Sequence, residues 1–155
     1  AQASCTLSAN LLALARQSRV TQRTTERTRM NATPGPAVVK IDVASGTEEK
    51  LELDPARLAA GSPMPEQFVR NAYTDTSGRF FAGIWRSSVG AWRVTYTESE
   101  LCVLTAGRIR ITDDHGRQST FGPGDSFVMP AGFAGLWEVL EPAQKFYAIY
   151  EPPAT

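Results

Sequence analysis

The stretch FGPGDSFVMPAGFAG, residues 121–135, decides the fold. Its apolar run DSFVMP is closed on one side by Gly122-Pro123-Gly124 and on the other by Pro130-Ala131-Gly132. Proline cannot donate to a strand ladder, and glycine takes turn conformations that other residues avoid. The run therefore reads as a short strand held between two tight turns.

Working outward, the same punctuation recurs. RFFAGIWRS, AWRVTY, ELCVLTA, RIRITD, RQSTFG, DSFVMP, GLWEVLE and KFYAIYE are each short and rich in β-branched and aromatic side chains. RIRITDDHGRQSTF is the sharpest hairpin: Ile109 and Ile111 alternate with Arg108 and Arg110, and DDHG supplies the turn. About eight strands separated by turns, with no helical periodicity, predict an all-β sandwich or jelly-roll barrel. Toward the N-terminus, AVVKIDV (37–43) is the first strand candidate. LDPARLAAGSP reads as one short helix near the start of the domain, capped by Asp54, with Pro55 at its first position and Gly61 as its stop. PEQFVRNAYTDTSG is ambiguous, an edge strand followed by a loop.

Residues 1–29 have a different character. They carry five Arg and one Glu and little apolar material after Val20, which predicts a disordered N-terminal extension. SANLLALARQSR within it has the pattern of a short helix capped by Ser8. An Arg- and Ser-rich, acid-poor start resembles an organelle transit peptide; the plainer reading starts the natural chain at Met30. Residues 30–155 then form a single domain, a length that supports a real core.

The 155-residue chain has no net charge, but residues 30–155 carry a net −4. They offer no basic footprint for nucleic acid, and no apolar run is long enough to span a bilayer. Cys5 and Cys102 form neither a C-x-x-C pair nor a disulfide framework, which fits a reducing, cytoplasmic setting.

Over residues 80–151 the chain resembles the cupin superfamily, and more narrowly a small single-domain branch related to the ureidoglycine aminohydrolase-like cupins. The resemblance rests on Gly83, Trp85, Trp92, Glu100, Cys102, Gly107, Pro123-Gly124-Asp125, Pro130, Gly132, Phe133, Gly135, Trp137, Glu138, Lys145 and Tyr147. It implies a cupin jelly-roll barrel (double-stranded β-helix, RmlC-like) and a homodimer paired through its sheets. It also implies where metal ligands would lie: two histidines before Glu100, at Val94 and Tyr96 or at Arg93 and Thr95, and a third at Gly135. None of these is His, and only Glu100 remains of the four. No metal or other cofactor is therefore expected, and the aminohydrolase activity, which needs a metal, is not carried over.

His115, the only histidine, falls in the DDHG turn and reads as solvated. Glu98 falls in a turn and reads as solvated too, while Glu138 has apolar neighbours on both sides and can face either way. An irregular Glu100–Cys102–Glu138 set would bind a transition ion poorly. If Glu100 points inward its charge needs a partner, for which Lys145 and Arg93 are candidates. The pair would then either fix strand pairing or, with Tyr96 and Trp137, form a polar patch in an aromatic pocket. Tyr96, Glu100, Trp137, Lys145 and Arg93 are the candidate substrate-binding residues, and no catalytic residue is assigned. Trp85, Trp92 and Trp137 read as core, with a stacking floor for a planar ligand as the alternative. Three functions stay open: a cupin binding a small organic molecule in its barrel, an enzyme acting on a small amino or ureido compound, and a non-catalytic interaction module with a packed barrel.

Overall fold

The computed structural model describes residues 35–44 and 46–153. The expectations for residues 1–29 and for a start at Met30 lie outside the described residues. Eight strands follow in order: β1 Glu48–Leu51, β2 Gln67–Thr74, β3 Phe80–Ser87, β4 Gly90–Thr95, β5 Ser99–Asp113, β6 Gln118–Phe121, β7 Ser126–Met129 and β8 Ala134–Tyr150. All pairings are antiparallel, in the order β1-β2-β3-β8-β5-β6, with β4 also on β8 and β7 also on β5.

The two long strands make the barrel. ELCVLTA and RIRITD are one strand, β5, and GLWEVLE and KFYAIYE are one strand, β8. Their mutual register shifts repeatedly between Leu104 and Ile109. At this corner Gly107 has φ 78°, and a Cβ there would lie 2.2 Å from the carbonyl oxygen of Pro142. Only glycine allows the two backbones to pass so closely. On one side of the bend, β5 and β8 join β7 and β3. On the other they join β6 and β4. The result is the expected all-β jelly roll, with each long strand serving both layers.

Three local expectations change. AVVKIDV is irregular, and the first strand is Glu48–Leu51, where Glu48 pairs with Arg86 and Arg70 and Leu51 enters the core. The helix shortens to one 3₁₀ turn, Pro55–Arg57, with Asp54 capping Ala56 N–H. It stops before Gly61 because Leu58 is extended and bridges Trp92, while Arg57 donates to the carbonyl of Arg93. PEQFVRNAYTDTSG contains a full interior strand, β2, between β1 and β3.

Trp85, Trp92 and Trp137 are each fully buried and pack on one another inside the barrel, Trp85 meeting Trp137 edge-on at 5.8 Å. The core reading holds for all three. No helix among the described residues is long and apolar enough to cross a membrane.

Candidate functional site

Glu100 and Cys102 lie on β5 with the same parity and both face inward, without solvent exposure. Lys145, on the neighbouring β8, is equally buried. Its Nζ donates to Glu100 Oε1 at 2.7 Å and to Cys102 Sγ at 3.2 Å. The same ammonium lies 4.6 Å from the ring centre of Trp137 and 5.3 Å from that of Trp85. Tyr96 Oη donates to the second oxygen of Glu100 at 3.0 Å. An isolated buried charge costs several kcal/mol; here each charge meets its opposite, with hydrogen bonds and indole faces around the pair.

The electrostatics follow from this closure. Burial by itself pulls the Lys145 ammonium down, but the Cys102 sulfur and the Glu100 carboxylate hold it above its ordinary value. Burial, then the Glu100 charge, push the Cys102 thiol well up. The same two causes raise the Tyr96 phenol. Burial thus disfavours the ionised thiol of Cys102 and the ionised phenol of Tyr96, both beside the Lys145–Glu100 contact.

Four of the five candidate residues, Tyr96, Glu100, Trp137 and Lys145, thus converge. Arg93 does not. Its side chain points outward from β4 and pairs with Asp114, because Trp92 and Val94 take the inward positions on either side of it. Glu138 also faces out and receives a two-pronged contact from Arg110 at 2.7 and 2.8 Å. His115 sits in the exposed hairpin turn, as expected. Glu98 is not solvated: it is fully buried, with Oε2 accepting from the Thr97 N–H and hydroxyl. Its Oε1 has no partner, and burial raises its pKa.

A separate cavity of about 360 Å³ opens between β6 and β7. Its walls include Ile111, Phe121, Phe127, Met129 and Phe133, with Asp113 and Arg117 also lining it. Phe121 and Phe127 stack at 3.9 Å. The loop carrying Phe133 is strapped to Tyr96 by Tyr96 N–H to Phe133 O at 2.8 Å and Gly132 N–H to Tyr96 O at 2.7 Å. Glu100 pairs in register with Met129, and Tyr96 meets Phe133 edge-on at 6.4 Å. Met129 and Phe133 thus connect this cavity to the ion-pair cluster, no member of which lines it. The site escaped the sequence reading, although a signal was there: Phe121, Phe127 and Phe133 recur every six residues through the two turns.

A larger cavity, about 640 Å³, lies on the opposite surface of the sheet. Leu101 and Val103 line it, the residues that alternate with Glu100 and Cys102, so the strand itself separates it from the cluster.

Comparison with known proteins agrees with this architecture. Residues 74–147 match the family described as the EutQ-like cupin domain. A protein of unknown function from Pseudomonas syringae pv. tomato superposes with a TM-score of 0.61 at 24% identity, over 67% of this chain and 44% of that one. The chain thus spans less than half of that relative. The EutQ protein of Clostridium difficile superposes at 0.53 with 19% identity, over 71% of this chain and 98% of that one. Residues 74–147 thus match a cupin family, and the superpositions show the cupin fold. No curated protein matches it.

The resemblance to metal-binding cupins would put a cation beside Glu100. The residues here do not fit one. Both oxygens of Glu100 are engaged, by Lys145 and by Tyr96. Val94, paired in register with Gly135, is apolar. A Cβ on Gly135 would lie 2.3 Å from the Thr112 carbonyl oxygen and 2.8 Å from the Phe133 ring, so no imidazole enters from that position without displacing backbone. Among the described residues no three His, Cys, Asp or Glu side chains gather around a common point.

Proposed function

We propose that this cupin binds a small, largely apolar organic molecule in the barrel mouth, above the closed Glu100–Lys145 pair. The observation that carries this is the 360 Å³ cavity walled by Phe121, Phe127, Met129 and Phe133. Ligand pockets are typically concave and apolar, with a few polar groups that fix orientation, a part that Asp113 and Arg117 are placed to play. Tyr96, Glu100, Lys145 and Trp137, the binding residues expected from sequence, support the floor from beneath rather than touch the ligand. An enzyme of the ureidoglycine aminohydrolase-like type is the less favoured reading, since the positions that would hold its metal carry Val94, Tyr96 and Gly135.

The complete burial of the ion pair favours a second reading, a non-catalytic interaction module with a packed barrel. Titration with 8-anilinonaphthalene-1-sulfonate, an aromatic apolar anion, separates the two. Saturable binding that Phe127→Ala weakens several-fold and Leu101→Asp leaves intact supports the mouth site. Binding lost with Leu101→Asp and kept with Phe127→Ala moves the ligand to the outer sheet face and ends this reading, as does the absence of saturable binding.

A further inference from the structure

We infer that Lys145 is the resident cation of this barrel: its ammonium takes up the donor groups beside Glu100 that a metal ion there would need, so the barrel is closed to metals by its own chain. A cation site is defined by the groups that converge on it. Around Nζ these are a carboxylate oxygen at 2.7 Å, a sulfur at 3.2 Å and two indole faces at 4.6 and 5.3 Å. An oxygen ligand, a sulfur ligand and π faces are what a buried positive centre seeks, whether metal or ammonium. Tyr96 engages the other oxygen of Glu100, so a second cation would have to share or displace one of these contacts. Gly135 and Phe133 close the side from which a further imidazole would arrive. The ammonium stem belongs to β8 and reaches the cluster from the strand next to β5, so the cation is tethered and its position is fixed by the β5–β8 register.

This differs from an ordinary buried ion pair in a testable way. If the surroundings form a site for a positive centre, they accept one that is not tethered. Lys145→Ala removes the side chain beyond Cβ, and n-propylammonium carries the missing atoms. The variant is refolded from urea with n-propylammonium and, separately, with n-propanol, so that access to a buried site is not limiting. The expected result is a urea midpoint that rises with the logarithm of amine concentration, as for any ligand that binds only the folded state, with no comparable rise in propanol. Equal effects of amine and alcohol, or no effect of either, overturn the proposal. If Lys145→Ala does not refold under any condition, Lys145→Met and the double variant Glu100→Gln/Lys145→Met replace it. The single variant, which strands a carboxylate without its cation, should unfold at much lower urea than the double. Equal midpoints overturn the proposal. Elemental analysis of the wild-type protein completes the test: stoichiometric manganese, iron, nickel or zinc that Glu100→Gln removes would place a metal where Lys145 stands and sink the inference.

Discussion

The two faces of one strand segment, Glu100–Val103, reverse the usual order of a protein interior. On the inner face Glu100 and Cys102 are sealed from solvent. On the outer face Leu101 is 46% exposed, and its β7 neighbour Val128 is 58% exposed. The adjacent segment of β8 repeats the pattern, with Lys145 inside and Phe146, Ala148 and Tyr150 outside. An antiparallel sheet with one solvated face normally turns its apolar side inward. Here the charges turn inward because each finds its complement there, and the apolar side chains face an outer groove covered only in part by Ala37, Val39 and Ile41. Polarity within a strand thus follows which partners lie across the sheet as much as hydrophobicity.

The sharpest way to break the comparison is to remove a charge on the inner face. Glu100→Ala leaves the Lys145 ammonium buried with only a thiol and ring faces, and should lose about 3–5 kcal/mol of stability. Urea unfolding measures this directly. A loss below about 1 kcal/mol would mean that the pair behaves like a surface salt bridge and that the interior is wetter than its burial indicates.

How far this could be read beforehand depended on the kind of signal. The turns around Pro123-Gly124 and Pro130-Ala131-Gly132 and the runs between them are local, and the barrel followed from them. The fusion of ELCVLTA with RIRITD was not legible, because Gly107 reads as a turn residue. Its role is to let β5 pass within a Cβ's width of Pro142 and Ala143 while the strand continues. AVVKIDV carries strand signals yet forms no strand, since the first place in the sheet is taken by Glu48–Leu51, which brings Glu48 to Arg86. At the site, residue parity placed Cys102 with Glu100, and charge balance named Lys145. Arg93 satisfied the same charge argument but not the alternation of β4, whose inward positions are Trp92 and Val94. The mouth cavity escaped because the spacing of Phe121, Phe127 and Phe133 does not by itself show that the rings share one side, and Ile111 and Asp113 of the distant β5 complete the walls.

Glu98 sharpens the comparison at a second inner position. Unlike Glu100 it meets no cation, and one of its oxygens is unpartnered. Burial first, then the neighbouring Glu100 charge, raise its pKa above the ordinary 4.5. The folded state therefore holds this proton over a pH range in which the unfolded chain has released it. Stability contributed by the protonated form is present at low pH and is lost as pH rises from 4.5 toward the raised folded value. Glu98→Gln, which keeps an acceptor for Thr97, should remove that decline and gain about 1 kcal/mol at neutral pH. A series of unfolding curves from pH 4 to 8 checks it. An unchanged pH slope would mean that Oε1 finds water and that the carboxylate carries no burial cost.

The smallest effect belongs to the outer face and is the control for all the others. Leu101 sits one residue from Glu100, on the same strand, with the same backbone ladder to Val128 and Ala148. Leu101→Ser alters no buried charge and removes a side chain already half in water, so its cost should stay near 0.5 kcal/mol, the usual range for surface changes. If Leu101→Ser instead costs as much as Glu100→Ala, measured in the same urea series, the outer groove is not a free surface in solution. The inversion of polarity along β5 would then vanish, since both faces of the strand would be interior.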